Sequence, residues 1–213
     1  MRRLLAGALL ALLAAGCGAA TDGPIPDARP APPQSATLGW QEVYGDPGAR
    51  LVFNVSSLAV TPRGWQADVS VENQSKVRFA VATGKTSIDS SFGLMILPTG
   101  DHRELDRLNT AGELPAVRQA ETIEPPLPGV LEPGETWTGR LAANGALPGG
   151  SWARVVFGAF VAMGKPPTGL QDRVIWITDH THLIERARQA TSVVNSASSA
   201  RAAKSPSPAA ISR

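Results

Sequence analysis

Trp65-Gln66-Ala67-Asp68-Val69-Ser70-Val71-Glu72 is the stretch whose reading decides the fold. Trp65, Ala67, Val69 and Val71 alternate with Gln66, Asp68, Ser70 and Glu72, four apolar–polar pairs in unbroken succession. A period of two over eight residues specifies a strand with one face in a core and the other in water. Thr61-Pro62-Arg63-Gly64 just before it has the composition of a turn. Before that, Leu51, Phe53 and Val55 alternate with Val52, Asn54 and Ser56, which makes Arg50–Val60 the first expected strand. Asn73-Gln74-Ser75 closes the central stretch, and Val77–Ala82 begins a return strand through Phe79 and Val81. The short spacing predicts a hairpin.

Further along, a polar connection (Thr83–Ser91) leads to Phe92-Gly93-Leu94-Met95-Ile96-Leu97, an apolar run suited to a central strand. Asp101 then reads as a helix N-cap with Glu104 as its capping-box partner, Leu105 and Leu108 on one face, and Gly112 at the end. Leu114–Val130 holds Pro115, Pro125, Pro126 and Pro128 and reads as an extended, poorly paired crossover. Leu131-Glu132-Pro133-Gly134-Glu135 turns into a strand at Thr136 that places Trp137, Gly139 and Leu141 on one face. Ser151–Phe157 and Phe160–Met163 form one strand bent at Gly158 or two short ones, and Val174–Ile177 reads as a buried strand.

About seven strands, Pro/Gly turns and one short inserted helix specify an all-β fold, an antiparallel β-sandwich, with a small barrel as the alternative that alternation alone does not separate. No βαβ alternation occurs, which argues against a parallel α/β fold. The Val69–Ser75 pattern, the Leu131–Glu135 turn and the Val155-Val156-Phe157 run resemble immunoglobulin-like domains of secreted actinobacterial lipoproteins, many of which have no assigned activity. That resemblance spans residues 50–178 and implies an immunoglobulin-like sandwich without the disulfide of antibody domains.

The ends of the chain address location. Met1-Arg2-Arg3 is a basic start, Leu4–Leu13 an apolar run, and Ala14-Ala15-Gly16 a set of small residues directly before Cys17. This resembles a bacterial lipoprotein signal, 1–16, whose cysteine is acylated; Ala14 stands where Leu is commonest. An ordinary cleaved signal with an incidental cysteine is the alternative. The apolar run is too short for a permanent span, which needs ~20 residues. The expected location is therefore the extracytoplasmic face of a cell membrane, the lipid on Cys17 being the anchor. Cys17 is the sole cysteine, so the fold has no intrachain disulfide and no thiolate zinc site. Residues 17–37, with five prolines, read as a tether, 38–182 as the domain, and 183–213 as a short helix followed by a basic disordered tail. Leu183, Ile184, Ala187, Ala190 and Val194 carry that helical spacing.

Residues 183–213 hold five basic side chains against Glu185, and residues 18–182 hold thirteen against seventeen acidic ones. Basic character is thus confined to the ends, and a nucleic-acid role is not supported. Asp179-His180-Thr181-His182 is the sharpest metal candidate, with His102 or Met95 as a further ligand, because alternation on an extended segment puts both imidazoles on one side. A polar strand end is the simpler reading. No Gly-x-Ser-x-Gly elbow or Gly-rich phosphate loop appears, and the acids of 101–106 sit on an exposed helix. Of five tryptophans, Trp65, Trp137 and Trp176 are in phase with apolar neighbours, Trp152 has no assigned face, and Trp40 is the accessible one expected. Asn54-Val55-Ser56 and Asn73-Gln74-Ser75 match the glycan acceptor pattern incidentally. The long 98–130 insertion is either a contact surface or a cover over a sheet edge.

The expectation is a non-enzymatic, lipid-anchored binding or accessory module without a cofactor, engaging an envelope protein through 98–130. Arg103, Arg107, Leu114 and Trp40 are its candidate contact residues. A metal- or carbohydrate-binding lipoprotein is the alternative.

Overall fold

The computed structural model describes residues 29–81 and 92–187. In chain order the strands are β1 (Gln34–Asp46), β2 (Ala49–Thr61), β3 (Gly64–Asn73), β4 (Phe79–Val81) and β5 (Gly93–Leu97). Helix α1 (His102–Ala111) follows, then β6 (Arg118–Gln119), β7 (Thr122–Glu124), β8 (Val130–Leu131) and β9 (Thr136–Asn144). The chain continues through β10 (Trp152–Ala162), β11 (Arg173–Ile177) and β12 (His182–Leu183). One sheet has the order β1-β2-β3-β9-β7; the other is built on β10, and every pairing is antiparallel.

The alternation over Trp65–Glu72 does what its period demands. Trp65, Ala67, Val69 and Val71 are buried, and the polar partners face outward from the sheet. Leu51, Phe53 and Val55 of β2 bury beside them, and Phe157 and Phe160 of β10 meet them from the opposite sheet. Phe53 is the hub: its ring centroid lies 5.1 Å from Phe157, 5.7 Å from Phe160 and 5.3 Å from Trp176. Each such side chain withdrawn from water contributes about 1.5–3 kcal/mol.

The β10 register shows how the second sheet is laid out. Val156 faces Gly93 of β5 and Ile177 of β11, while Phe160 faces Val81 of β4 and Val174 of β11. Strands β5 and β4 therefore lie end to end on one side of β10, and β12 and β11 on the other. The expected bend in β10 is a register shift between Phe157 and Phe160. Beneath α1 a smaller cluster (Met95, Leu97, Leu105, Val156) covers the outer face of this sheet.

Several expectations are corrected. The first strand is β1, which starts at Gln34, inside the segment read as tether and ahead of Arg50. The expected β3–β4 hairpin does not form: β3 pairs β2 and β9, while β4 pairs β10 and β8 in the other sheet. The Asn73–Ser75 turn carries the chain between layers, with the Asn73 amide donating to the carbonyls of Val77 and Leu131. Helix α1 has its Asp101 cap, accepting from Arg103 N, and a left-handed Gly112 at φ 70°. Glu104, however, bonds Arg107 instead of completing a capping box. The proline-rich 114–130 segment pairs at three places, with β5, β9 and β4, so it is woven into both sheets. Leu183 lies in β12 and Ile184 is fully buried beside Ser151 in extended chain. The expected C-terminal helix does not begin there; its remainder, like residues 1–28 with Cys17 and the 83–91 connection, lies outside the described residues.

Candidate functional site

Strand β1 is an edge strand whose inward phase runs through Trp40, Glu42 and Tyr44. That register places the carboxylate of Glu42, 7% exposed, at the seam between the two sheets. Burying a carboxylate is unfavourable unless donors replace its water. Here four do so. Glu42 Oε2 accepts from Trp176 Nε1 at 2.6 Å and from Asp179 N at 3.0 Å. Oε1 accepts from His180 N at 3.0 Å and contacts His180 Nδ1 at 2.8 Å. The His180 ring also stacks on Trp40, centroids 5.6 Å apart and planes at 20°.

Arg154 works on the same turn from β10. It is fully buried, and its Nη1 donates to the carbonyls of Thr178 at 2.6 Å and Asp179 at 2.7 Å. Arg154 Nε and Nη2 are buried without a partner. Burial presses the guanidinium pKa below its ordinary value, and the charges of Asp179, Glu42 and Asp106 oppose that shift. Register assigns Arg154 to the outer face of its sheet, opposite Met95 and two residues from Val156, under α1.

A cleft of about 310 Å³ opens on that face between α1 and β11. Leu105, Asp106, Asn109 and Leu114 form one wall; Ile175, Trp176, Ile177 and Asp179 form the other. Neither Asp106 nor Asp179 is in an ion pair among the described residues. The site thus combines apolar walls and two carboxylates, and the buried Arg154 holds the Asp179 backbone at one end of it.

The sequence-derived candidates divide. Leu114 lines the cleft, whereas Arg103 and Arg107 do not. Arg103 is exposed and serves α1 through its backbone N–H. Arg107 is paired with Glu104 at 2.8 Å and Glu113 at 3.6 Å, which holds the Glu104 carboxyl below the usual carboxylate range. Trp40 is half-buried and has His180 stacked on it, so it is not the open platform expected. Asp179 and His180 meet Glu42, whereas His182 pairs on β12 with Ala153 of β10, where burial lowers its pKa. The Asp179, His180 and His182 side chains are not gathered: among the described residues no group of three His, Cys, Asp or Glu could hold a metal. Trp65 and Trp137 are buried as expected, Trp176 is partly so, and Trp152 packs its indole on Gly100.

Glu42 and Arg154 went unread in the sequence. The available signal for Arg154 was a lone charge inside the apolar run Ala153–Phe157. Among the described residues no helix is long and apolar enough to cross a membrane. Comparison of the chain with protein-family models, curated proteins and solved structures finds no match.

Proposed function

We propose that the protein is a non-enzymatic binding or accessory module of a bacterial envelope, held at the extracytoplasmic face by an acylated Cys17, with an immunoglobulin-like variant of the two-sheet body as its working part. The observation that carries this reading is the cleft between α1 and β11, because half of its lining comes from the 98–130 insertion. A concave site with apolar walls and a few polar groups is the usual form of a binding site. The insertion also supports the sheets through β6, β7 and β8, so the test is a point change rather than a deletion.

Leu114→Arg puts a charge into the cleft wall at a position outside the main core. Affinity capture of the full acylated chain from its own envelope is expected to yield a partner that Leu114→Arg loses while circular dichroism stays unchanged. A partner retained equally by both proteins would sink the assignment. Cys17→Ser is expected to abolish palmitate labelling and release the chain from membranes.

A further inference from the structure

We infer that the outer edge of β11 is a docking site for an extended, basic peptide segment, which joins the sheet as an additional strand between β11 and α1. This rests on the binding-module reading and names the ligand class. The residues lining the cleft from β11 are consecutive: Ile175, Trp176 and Ile177. Successive side chains of a strand point to opposite faces, so a cleft touching three in a row runs along the strand's backbone edge. Among the described residues β11 pairs with β10 alone, leaving that edge open.

The other edges are blunted. Strands β6, β7, β8 and β12 are two or three residues long. Strand β1 is long but broken by a register shift between Thr37 and Trp40, with Gly39 at φ 60°. Short strands, bulges, charges and prolines are the devices that stop unwanted pairing. Strand β11, Arg-Val-Ile-Trp-Ile, has five residues, no proline and a charge only at Arg173. Among the described residues it is the strand left able to accept another chain.

Charge and apolar walls define the occupant. Asp106 and Asp179 line opposite walls outside any ion pair among the described residues, and they call for lysine or arginine on the incoming strand. Leu105, Leu114, Ile175 and Ile177 suit the apolar residues alternating with them. Arg154, bonded through Nη1 to the Asp179 carbonyl, fixes the backbone at that end of the site. Main-chain bonding supplies affinity and alternate side chains supply selectivity in this mode of recognition.

The probe is a fluorescein-labelled, amide-capped peptide of alternating lysine and valine, seven residues long, titrated into the full chain in detergent. It is expected to bind, with the dissociation constant rising tenfold or more for Asp106→Asn/Asp179→Asn. The same peptide N-methylated at alternate amides should not bind, since the methyl groups remove strand donors without touching the protein. Equal binding of the N-methylated peptide, of a glutamate–valine analogue, or by the double variant would overturn the inference, as would failure of the lysine–valine peptide to bind. Sedimentation as a dimer that the peptide cannot dissociate would assign the edge to a second copy and also overturn it. If Leu114→Arg still abolishes envelope capture while the peptide tests fail, strand addition alone falls; if capture is unaffected, the binding-module reading falls with it.

Discussion

Glu42 and Arg154 grip the same turn from opposite sides: the carboxylate takes the N–H groups of Asp179 and His180, and the guanidinium gives to the carbonyls of Thr178 and Asp179. One residue comes from the edge of the first sheet and the other from the middle of the second. The turn after β11 is thereby fixed to both layers, and the Asp179 end of the cleft is fixed with it.

Glu42→Gln should be costly. One carboxylate oxygen becomes an amide that faces donors, so two of the four bonds are lost. With bonds to charged groups worth about 1.5–3 kcal/mol each, a loss of about 3–6 kcal/mol is expected in urea unfolding. A change below about 0.5 kcal/mol, the usual size for a neutral surface substitution, would show that the turn is held by something else.

Arg154 should respond differently to truncation and to replacement. Arg154→Met removes two carbonyl bonds but also removes two unmatched buried N–H groups and fills similar space. The two effects are of similar size, and stability should stay within about 1 kcal/mol of the wild type. Arg154→Ala also leaves a void under α1 and should cost about 3 kcal/mol or more. Equal losses for Met and Ala would contradict this balance, and the denaturation midpoints of the two variants decide it.

How far these features could be read in advance follows from which contacts are local. Strands β2, β3 and β9 carry periods of two because one face of each meets the core, β10 reads as an apolar run because both its faces are covered, and α1 carries its own cap and its own Gly112. Strand β1 escaped notice because its inward phase includes Glu42, a residue whose placement depends on donors more than 130 positions away. The β3–β4 spacing looked like a hairpin because loop length does not reveal that the Asn73 network turns the chain toward the other sheet. Ile184 has helical spacing, but its backbone bonds to Ser151 and Gly150 and its side chain joins the main core, which no local pattern encodes. The cleft was half legible: the insertion stood out, whereas β11 and Arg154 read only as core.

Acid should weaken the fold in two steps. Burial holds the His182 pKa below its ordinary 6.5, with Glu185 opposing the shift. As pH falls below 6.5 the unfolded chain takes a proton there before the folded chain does, so stability declines until the lowered folded value has been passed. The Arg140 guanidinium at 2.7 Å, helped by Ser57, holds Asp68 below its ordinary 3.8. Its contribution is present above 3.8 and is lost as pH falls through the lower folded value. His182→Gln should flatten the first step and leave the second; urea midpoints from pH 8 downward test both, and an unchanged first step would contradict the His182 assignment.

Asn73 offers a test of the crossing between layers. It is fully buried; its amide nitrogen serves Val77 O and Leu131 O, and its Oδ1 accepts from Ser75 N and Oγ. Asn73→Ala takes this partner from Leu131 O and Ser75 N, while the Ser75 hydroxyl still donates to Val77 O, and should cost about 2–3 kcal/mol. Asn73→Asp keeps the acceptor yet sets a charge against two carbonyls, so it should be no better tolerated. An Asp variant as stable as the wild type would show that the amide donors contribute little.

Gly93 is where the insertion is fastened to the second sheet, and its replacement should loosen the cleft without touching its lining. A Cβ at Gly93 would fall on the carbonyl oxygen of Arg118 and within 3.0 Å of Gln119 Cα, and backbone atoms cannot swing aside as a side-chain tip can. Gly93→Ala must therefore push β6 away from β5, and overpacking of this kind costs about 1–3 kcal/mol. Gly129 lies in the same insertion with open space where a Cβ would sit, so Gly129→Ala is the matched control and should be neutral or slightly stabilising. Hydrogen exchange should then rise at Arg118–Gln119 and across α1 in Gly93→Ala alone. If exchange rises only at β6 and α1 keeps its protection, the helix is held by Leu105 and its neighbours under it rather than by this strand pair.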